Sequence, residues 1–162
     1  MKKLILFLSF IIAFAKSYAQ TFTPPSVIPP YRILTTDSIY ITPADLKKHK
    51  PVMIIYFSPD CSHCQHLMYE MKPKMKDFNN LQIVMITFAL PLKASQVFYR
   101  DFALAKYRNI IVGTEGHTYT VQRYYQLLTT PYIAFYDKNQ KLVKYFDKVP
   151  KIDELSAVAK KL

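Results

Sequence analysis

The chain contains two cysteines, and they stand three residues apart in Cys61-Ser62-His63-Cys64, just past the apolar run Val52-Met53-Ile54-Ile55-Tyr56-Phe57. A strand that ends shortly before a Cys-x-x-Cys pair delivers both cysteines to the opening turn of a helix. Residues i and i+3 share one face of a helical turn, so the two sulfurs can reach each other and close a disulfide. The first cysteine then faces N–H groups with no partner inside the helix and the positive end of the helix dipole, which favour its thiolate. The thiolate is the form that attacks disulfides. A bond closing so short a loop is a poor staple, because cross-linking gains most where the loop is long. The pair therefore reads as a redox centre rather than a structural clasp.

The N-terminus reads as a secretory leader over residues 1–19. Lys2 and Lys3 precede the apolar stretch Leu4 to Phe14, and Ser17-Tyr18-Ala19 places small residues before a cut ahead of Gln20. The apolar stretch is about half of the ~20 residues a membrane-spanning helix needs, which favours cleavage over anchoring. An uncleaved leader would allow transient membrane association. Residues 20–35, with Pro24, Pro25, Pro29 and Pro30, read as a proline-rich extended tether. What remains, residues 36–162, is one domain's worth of chain. The leader's lysines take the net charge from +11 to +8, an excess that bears on solubility and encounter with acidic surfaces rather than on fold. The remaining lysines are scattered and not interleaved with stacking aromatics, so no nucleic-acid groove is expected.

Along the domain, Ser38 to Ile41 alternates like a short strand, and Thr42-Pro43-Ala44-Asp45 opens a short helix with a capping threonine. Val52 to Phe57 is a continuous apolar run suited to a central strand buried on both faces. A helix over 62–78 places Leu67, Met68, Met71 and Met75 inward, with Pro73 kinking or breaking it. Leu81 to Phe88 is a second strand, and strand–helix–strand in this order demands a parallel crossover. A helical rhythm runs from Ser95 to Tyr107, a short strand from Ile110 to Val112, and a helix capped by Thr120 follows. Tyr132 to Tyr136 and Leu142 to Phe146 form a hairpin around Asp137-Lys138-Asn139-Gln140, and a last helix spans about 152–161.

Three segments resemble the thioredoxin-like fold, and within it the exported thiol–disulfide oxidoreductases of bacterial envelopes. They are Ile54-Ile55-Tyr56-Phe57-Ser58-Pro59-Asp60-Cys61-Ser62-His63-Cys64, the Thr130-Pro131 pair at the head of a strand, and the closing hairpin and helix. The resemblance implies an α/β fold, a central mixed β-sheet flanked by helices, with an inserted strand–helix region over 91–116. It implies Cys61 as nucleophile, Cys64 as resolving thiol, and a cis peptide at Pro131 whose loop, with Thr130, lies beside Cys61 and receives substrate backbone. It also implies that His63 steadies the reduced thiolate. Asp60, standing where the family often has tryptophan, opposes that effect, so the two together tune the thiol pKa. Ile55 occupies the position at which relatives often carry a buried acid, so the usual carboxylate relay is missing.

The same resemblance implies a periplasmic protein that exchanges disulfides with protein substrates and is recharged by an upstream redox protein. No cofactor is implied beyond the Cys61–Cys64 disulfide itself. Two other readings stay open: an envelope copper-delivery protein using the cysteines with His66, and a non-catalytic binding domain. Soft thiolates suit Cu(I), but His63 lies between the cysteines and points to a different face, so no metal site is expected. Gln65 stands where haem attachment requires histidine. His49 and His117 read as surface residues.

Overall fold

A computed structural model describes residues 22–88 and 91–162; the expected leader lies outside them. Seven strands form one sheet in the order β2-β1-β5-β4-β3-β6-β7. They are β1 (Ile33–Thr35), β2 (Tyr40–Ile41), β3 (Val52–Tyr56), β4 (Gln82–Thr87), β5 (Ile110–Thr114), β6 (Tyr132–Tyr136) and β7 (Leu142–Phe146). The α-helices among the described residues are α1 (Ser62–Met71), α2 (Leu92–Asp101), α3 (Thr120–Tyr125) and α4 (Ile152–Ala159).

The centre of the sheet follows from the apolar runs. Every residue of β3, β4 and β6 is buried, and successive side chains go to opposite faces. Met53, Ile55, Phe57, Ile83, Met85, Ile133 and Phe135 build one core with α1, α2 and α4. Val52, Ile54, Tyr56, Val84, Ile86, Tyr132, Ala134 and Tyr136 build the other with α3 and the N-terminal segment. β3 and β4 pair in parallel, Val52 opposite Gln82 through Tyr56 opposite Ile86, because α1 carries the chain back between them. β6 runs antiparallel to β3, setting Tyr132 opposite Tyr56, and β7 closes the hairpin. The region 91–116 contributes α2 and β5, with β5 parallel to β4. Gly113 lets β1 approach β5: a Cβ there would meet the Leu34 carbonyl oxygen at 2.8 Å.

Several boundaries differ from expectation. The expected helix over 62–78 is an α-helix only to Met71 and continues as a 3-10 helix over Lys72–Phe78. Pro73 lacks an N–H and its ring crowds the carbonyl four residues back, which ends the α-geometry. The helix expected over 95–107 is α2 shifted towards the N-terminus, then a separate 3-10 turn, Leu104–Lys106, entered through Ala103 in the left-handed region. Thr42 does open a short 3-10 helix, Pro43–Asp45, with a reciprocal capping box to Asp45. Thr120, in contrast, does not cap α3; it is the first helical residue, and no side chain of its own turn caps the helix.

The larger correction concerns the tether. From Ser26 onward the segment is part of the domain. Leu142 N–H donates to the Ser26 carbonyl at 2.8 Å, Val27 bridges to Lys141, and Tyr124 Oη donates to the Val27 carbonyl. Ile28, Tyr31 and Ile33 are buried, and Ile33–Thr35 enters the sheet as β1. The prolines hold the segment extended, but its apolar residues find a sheet face to cover, and that burial outweighs the loss of chain freedom.

Candidate active site

The site is assembled where β3 and β6 end side by side. Leaving β3, the chain turns at Ser58, whose carbonyl accepts from Cys61 N–H at 3.1 Å. Cys61 has extended backbone (φ −80°, ψ 117°) and is the N-cap of α1, its carbonyl accepting the first helical bond from Gln65 N–H at 3.0 Å. Gln65 Nε2 donates to the Pro59 carbonyl at 2.8 Å and steadies the loop. Cys64, one turn on, is buried with Leu67, Met68 and Met71. Because Tyr132 faces Tyr56 across the β3–β6 pair, Thr130 lies beside Cys61. The Thr130–Pro131 peptide is cis, and Cys61 Sγ–H donates to the Thr130 carbonyl at 3.5 Å. Both cysteines are thiols here, Cys61 half-buried and Cys64 fully buried.

Their environments push the two thiols apart. Burial alone would raise the Cys61 pKa. It is outweighed by hydrogen bonds from the Thr130 side chain, the Cys64 thiol and the backbone N–H groups of Cys64 and His63, which hold Cys61 below the ordinary cysteine value. Burial pushes the Cys64 thiol up to about 12, assisted by its contact with Cys61 and opposed by the Ser58 backbone. The two sulfurs thus differ in acidity, Cys61 being the readier to ionise and Cys64 the readier to keep its proton. In the reduced protein, alkylation followed against pH should therefore show one thiol titrating below a free cysteine, with the second silent until strongly alkaline solution. Thr130→Val, which keeps the shape and deletes the hydroxyl, should move that first midpoint upward. An unmoved midpoint would remove Thr130 from the set of groups acting on Cys61.

The remaining candidates are placed as follows. The side chains of His63 and Asp60 are both exposed. From His63, the backbone N–H is among the groups that hold the Cys61 pKa down. Asp60 lines an open groove with Pro59, Gln65, Val97, Phe98 and Phe102. His66 faces solvent beside Glu70, 3.6 Å away, and His49 and His117 are exposed at other places on the surface. Among the described residues no three His, Cys, Asp or Glu side chains converge as a metal site would require. Ile55 is buried in the core that contains Cys64.

One residue escaped sequence reasoning. Glu115, only 4% exposed, accepts from Tyr56 Oη on one carboxyl oxygen and from Val121 N–H on the other, each at 2.8 Å. Its partners lie 59 and 6 residues away, so no local pattern could have revealed it.

The family described as a thioredoxin-like domain matches residues 45–161. The chain belongs to the thioredoxin-like family. No curated protein matches it, but solved structures share its thioredoxin-like fold. A secreted Mycobacterium tuberculosis disulfide oxidoreductase homologous to E. coli DsbE superposes with a TM-score of 0.69 at 18% identity, over 82% of this chain and 96% of that one. M. tuberculosis DsbF gives 0.70 at 16%, over 86% and 98%. Arabidopsis thaliana ScoI, solved with copper bound, gives 0.65 at 13%, over 85% and 97%. Identities this low establish the shared fold of these thioredoxin-like proteins. No helix among the described residues is long and apolar enough to cross a membrane.

Proposed function

We propose that this thioredoxin-like protein is an exported thiol–disulfide oxidoreductase acting on protein substrates in the bacterial envelope. The observation that carries the reading is the pair of cysteines at one helix start, Cys61 half-buried beside the cis Thr130–Pro131 loop and Cys64 buried one turn deeper. Their surroundings hold the Cys61 pKa below the ordinary cysteine value and push that of Cys64 above it. The Cys61 thiolate attacks one sulfur of a substrate disulfide; that S–S bond breaks, the other sulfur leaves as thiolate, and a mixed disulfide forms. Cys64 then gives its proton to the departing thiolate or to water, and its sulfur attacks Cys61. The second substrate sulfur is released, and a Cys61–Cys64 disulfide remains. The substrate gains two electrons and the protein loses two; run backwards, the same steps oxidise a substrate. The two sulfurs carry the electrons without a bound cofactor, and an upstream redox protein resets them. Thr130 and Pro131 form the wall against which the substrate backbone lies. The leader over residues 1–19 supplies export.

The copper-delivery reading, with which the likeness to copper-bound ScoI is compatible, is the less favoured by the site, since among the described residues no third His, Cys, Asp or Glu joins the two cysteines and His66 lies beside Glu70 instead. The test of the exchange reading is Cys64→Ser. With attack intact and resolution removed, the variant should accumulate mixed disulfides with envelope proteins, visible as reductant-sensitive high-mass bands that vanish in Cys61→Ser/Cys64→Ser. A Cys64→Ser protein that stays monomeric in cells under oxidising conditions would exclude exchange through Cys61.

A further inference from the structure

The Thr130 loop reaches Cys61 at the end of α3, a helix poorly equipped to hold its own position. α3 has six residues, well below the length at which a helix is stable by itself. It is bounded by Tyr119 (φ 48°) and Gln126 (φ 53°), both in the left-handed region that non-glycine residues seldom adopt. No side chain of its own turn caps it. Its first turn is tied down from outside the helix by the Glu115 carboxyl group, which accepts from Val121 N–H. The other oxygen of that carboxyl takes the hydroxyl of Tyr56, the last residue of β3 and five before Cys61. Glu115 is itself fixed: its N–H donates to the Thr87 carbonyl at the end of β4 at 2.9 Å, and its carbonyl accepts from Thr118 Oγ1 at 2.9 Å. The Tyr56 ring stacks on Phe88 with centroids 5.8 Å apart, so that arm of the tie is braced too.

We infer that Glu115 is a positioning residue for disulfide exchange: it pins the start of α3 to the end of β3 and so fixes the Thr130 loop against the Cys61 sulfur. This rests on the exchange function proposed above and adds to it a residue on the opposite face of the sheet from α1. Glu115 touches neither sulfur. It acts through the loop, by keeping the Thr130 side chain and carbonyl where they meet the thiol. The requirement is for a two-pronged hydrogen-bonding group of this shape. A glutamine can meet it, since its carbonyl oxygen accepts from Val121 N–H while its amide donates to Tyr56 Oη, which can accept as well as donate. Alanine leaves both partners buried and unpaired.

The experiment measures the pH midpoint of Cys61 alkylation in the reduced full chain. Glu115→Ala, Glu115→Gln and Tyr56→Phe are compared with the parent protein, each below its melting temperature, with circular dichroism confirming that it is folded. Glu115→Ala should raise the midpoint by about half to one pH unit, lowering the thiolate fraction near neutrality by roughly three- to tenfold. Tyr56→Phe, which removes one prong, should move it the same way by less, and Glu115→Gln should restore the parental value. If Glu115→Ala does not fold, the ordering of Tyr56→Phe above Glu115→Gln carries the test. A folded Glu115→Ala or Tyr56→Phe with the parental midpoint would make the residue merely structural and overturn the inference. A Glu115→Gln shifted as far as alanine would also overturn it, since acidity and not geometry would then be at work. Alkylation reads the thiol directly, so these outcomes stand apart from whether the protein exchanges disulfides at all. Failure of the exchange reading would show instead as an absence of mixed disulfides in Cys64→Ser.

Discussion

In Cys61→Ser, reduction of insulin disulfides by dithiothreitol should proceed at the rate seen with no protein present. Replacing sulfur by oxygen removes the more exposed of the two thiols, and a serine hydroxyl beside the same amides is essentially never ionised at neutral pH and does not attack disulfides. Cys64 is poorly placed to take over, since it is 2% exposed and burial pushes its pKa far above the ordinary cysteine value. The two serine variants should thus behave differently, Cys61→Ser inert and Cys64→Ser stalled at the mixed disulfide. Substantial residual turnover in Cys61→Ser would reverse the assigned order of attack.

The largest expected loss of stability comes from Phe57→Ala. Phe57 is fully buried where β3 gives way to the active-site loop, its N–H bonded to the Ile86 carbonyl at 2.9 Å. Its ring packs on Phe98 of α2 at 4.7 Å between centroids, and Phe98 continues to Phe102 at 4.5 Å. Truncation leaves a cavity at the joint between the sheet and α2 that the stiff central strand cannot close. Phe→Ala changes of this kind cost about 3–5 kcal/mol, a large share of the ~5–15 kcal/mol that holds a typical domain. For a chain of this length the midpoint of thermal unfolding should fall by roughly 10 °C. A fall of only a degree or two would mean that α2 collapses onto the vacated space, and that the Phe57–Phe98–Phe102 stack is less rigid than its geometry suggests.

The central sheet and the cysteine pair were legible in the sequence because each rests on a strong local pattern. β3 and β4 are unbroken apolar runs, which few arrangements other than a doubly covered sheet can bury, and Pro73 marks where α1 must lose its α-geometry. Cys61 and Cys64 fall where a strand meets a helix, and the backbone then supplies the amides. What the sequence concealed depends on partners distant along the chain. The stretch 26–35 reads as a tether on its proline content, yet Val27, Ile28, Tyr31 and Ile33 are spaced to cover and extend a sheet, and β7 lies more than a hundred residues away. Thr120 has the right chemistry to cap α3 and sits one residue too far in; Glu115 performs the task from the end of β5. For His63, the residue type draws attention to the imidazole, which the structure places at the surface, while its backbone N–H bears on Cys61. The region 91–116 was legible as an extra helix and strand, though not in its boundaries, since Ala103 interrupts the helical rhythm with a left-handed turn that its side chain does nothing to announce.

The most direct test is equilibration of the protein in glutathione buffers, with both thiols followed by alkylation and mass, since the chain has no tryptophan to report the change by fluorescence. If Cys61 and Cys64 are one couple, both thiols should disappear together as a single two-electron transition, about 30 mV for each tenfold change in ratio. A midpoint near about −270 mV would mark a reductant and one near about −120 mV an oxidant. Thiols that oxidise at separate potentials, or a Cys61 that takes up glutathione and never passes the bond to Cys64, would contradict the redox pair on which the proposed function rests.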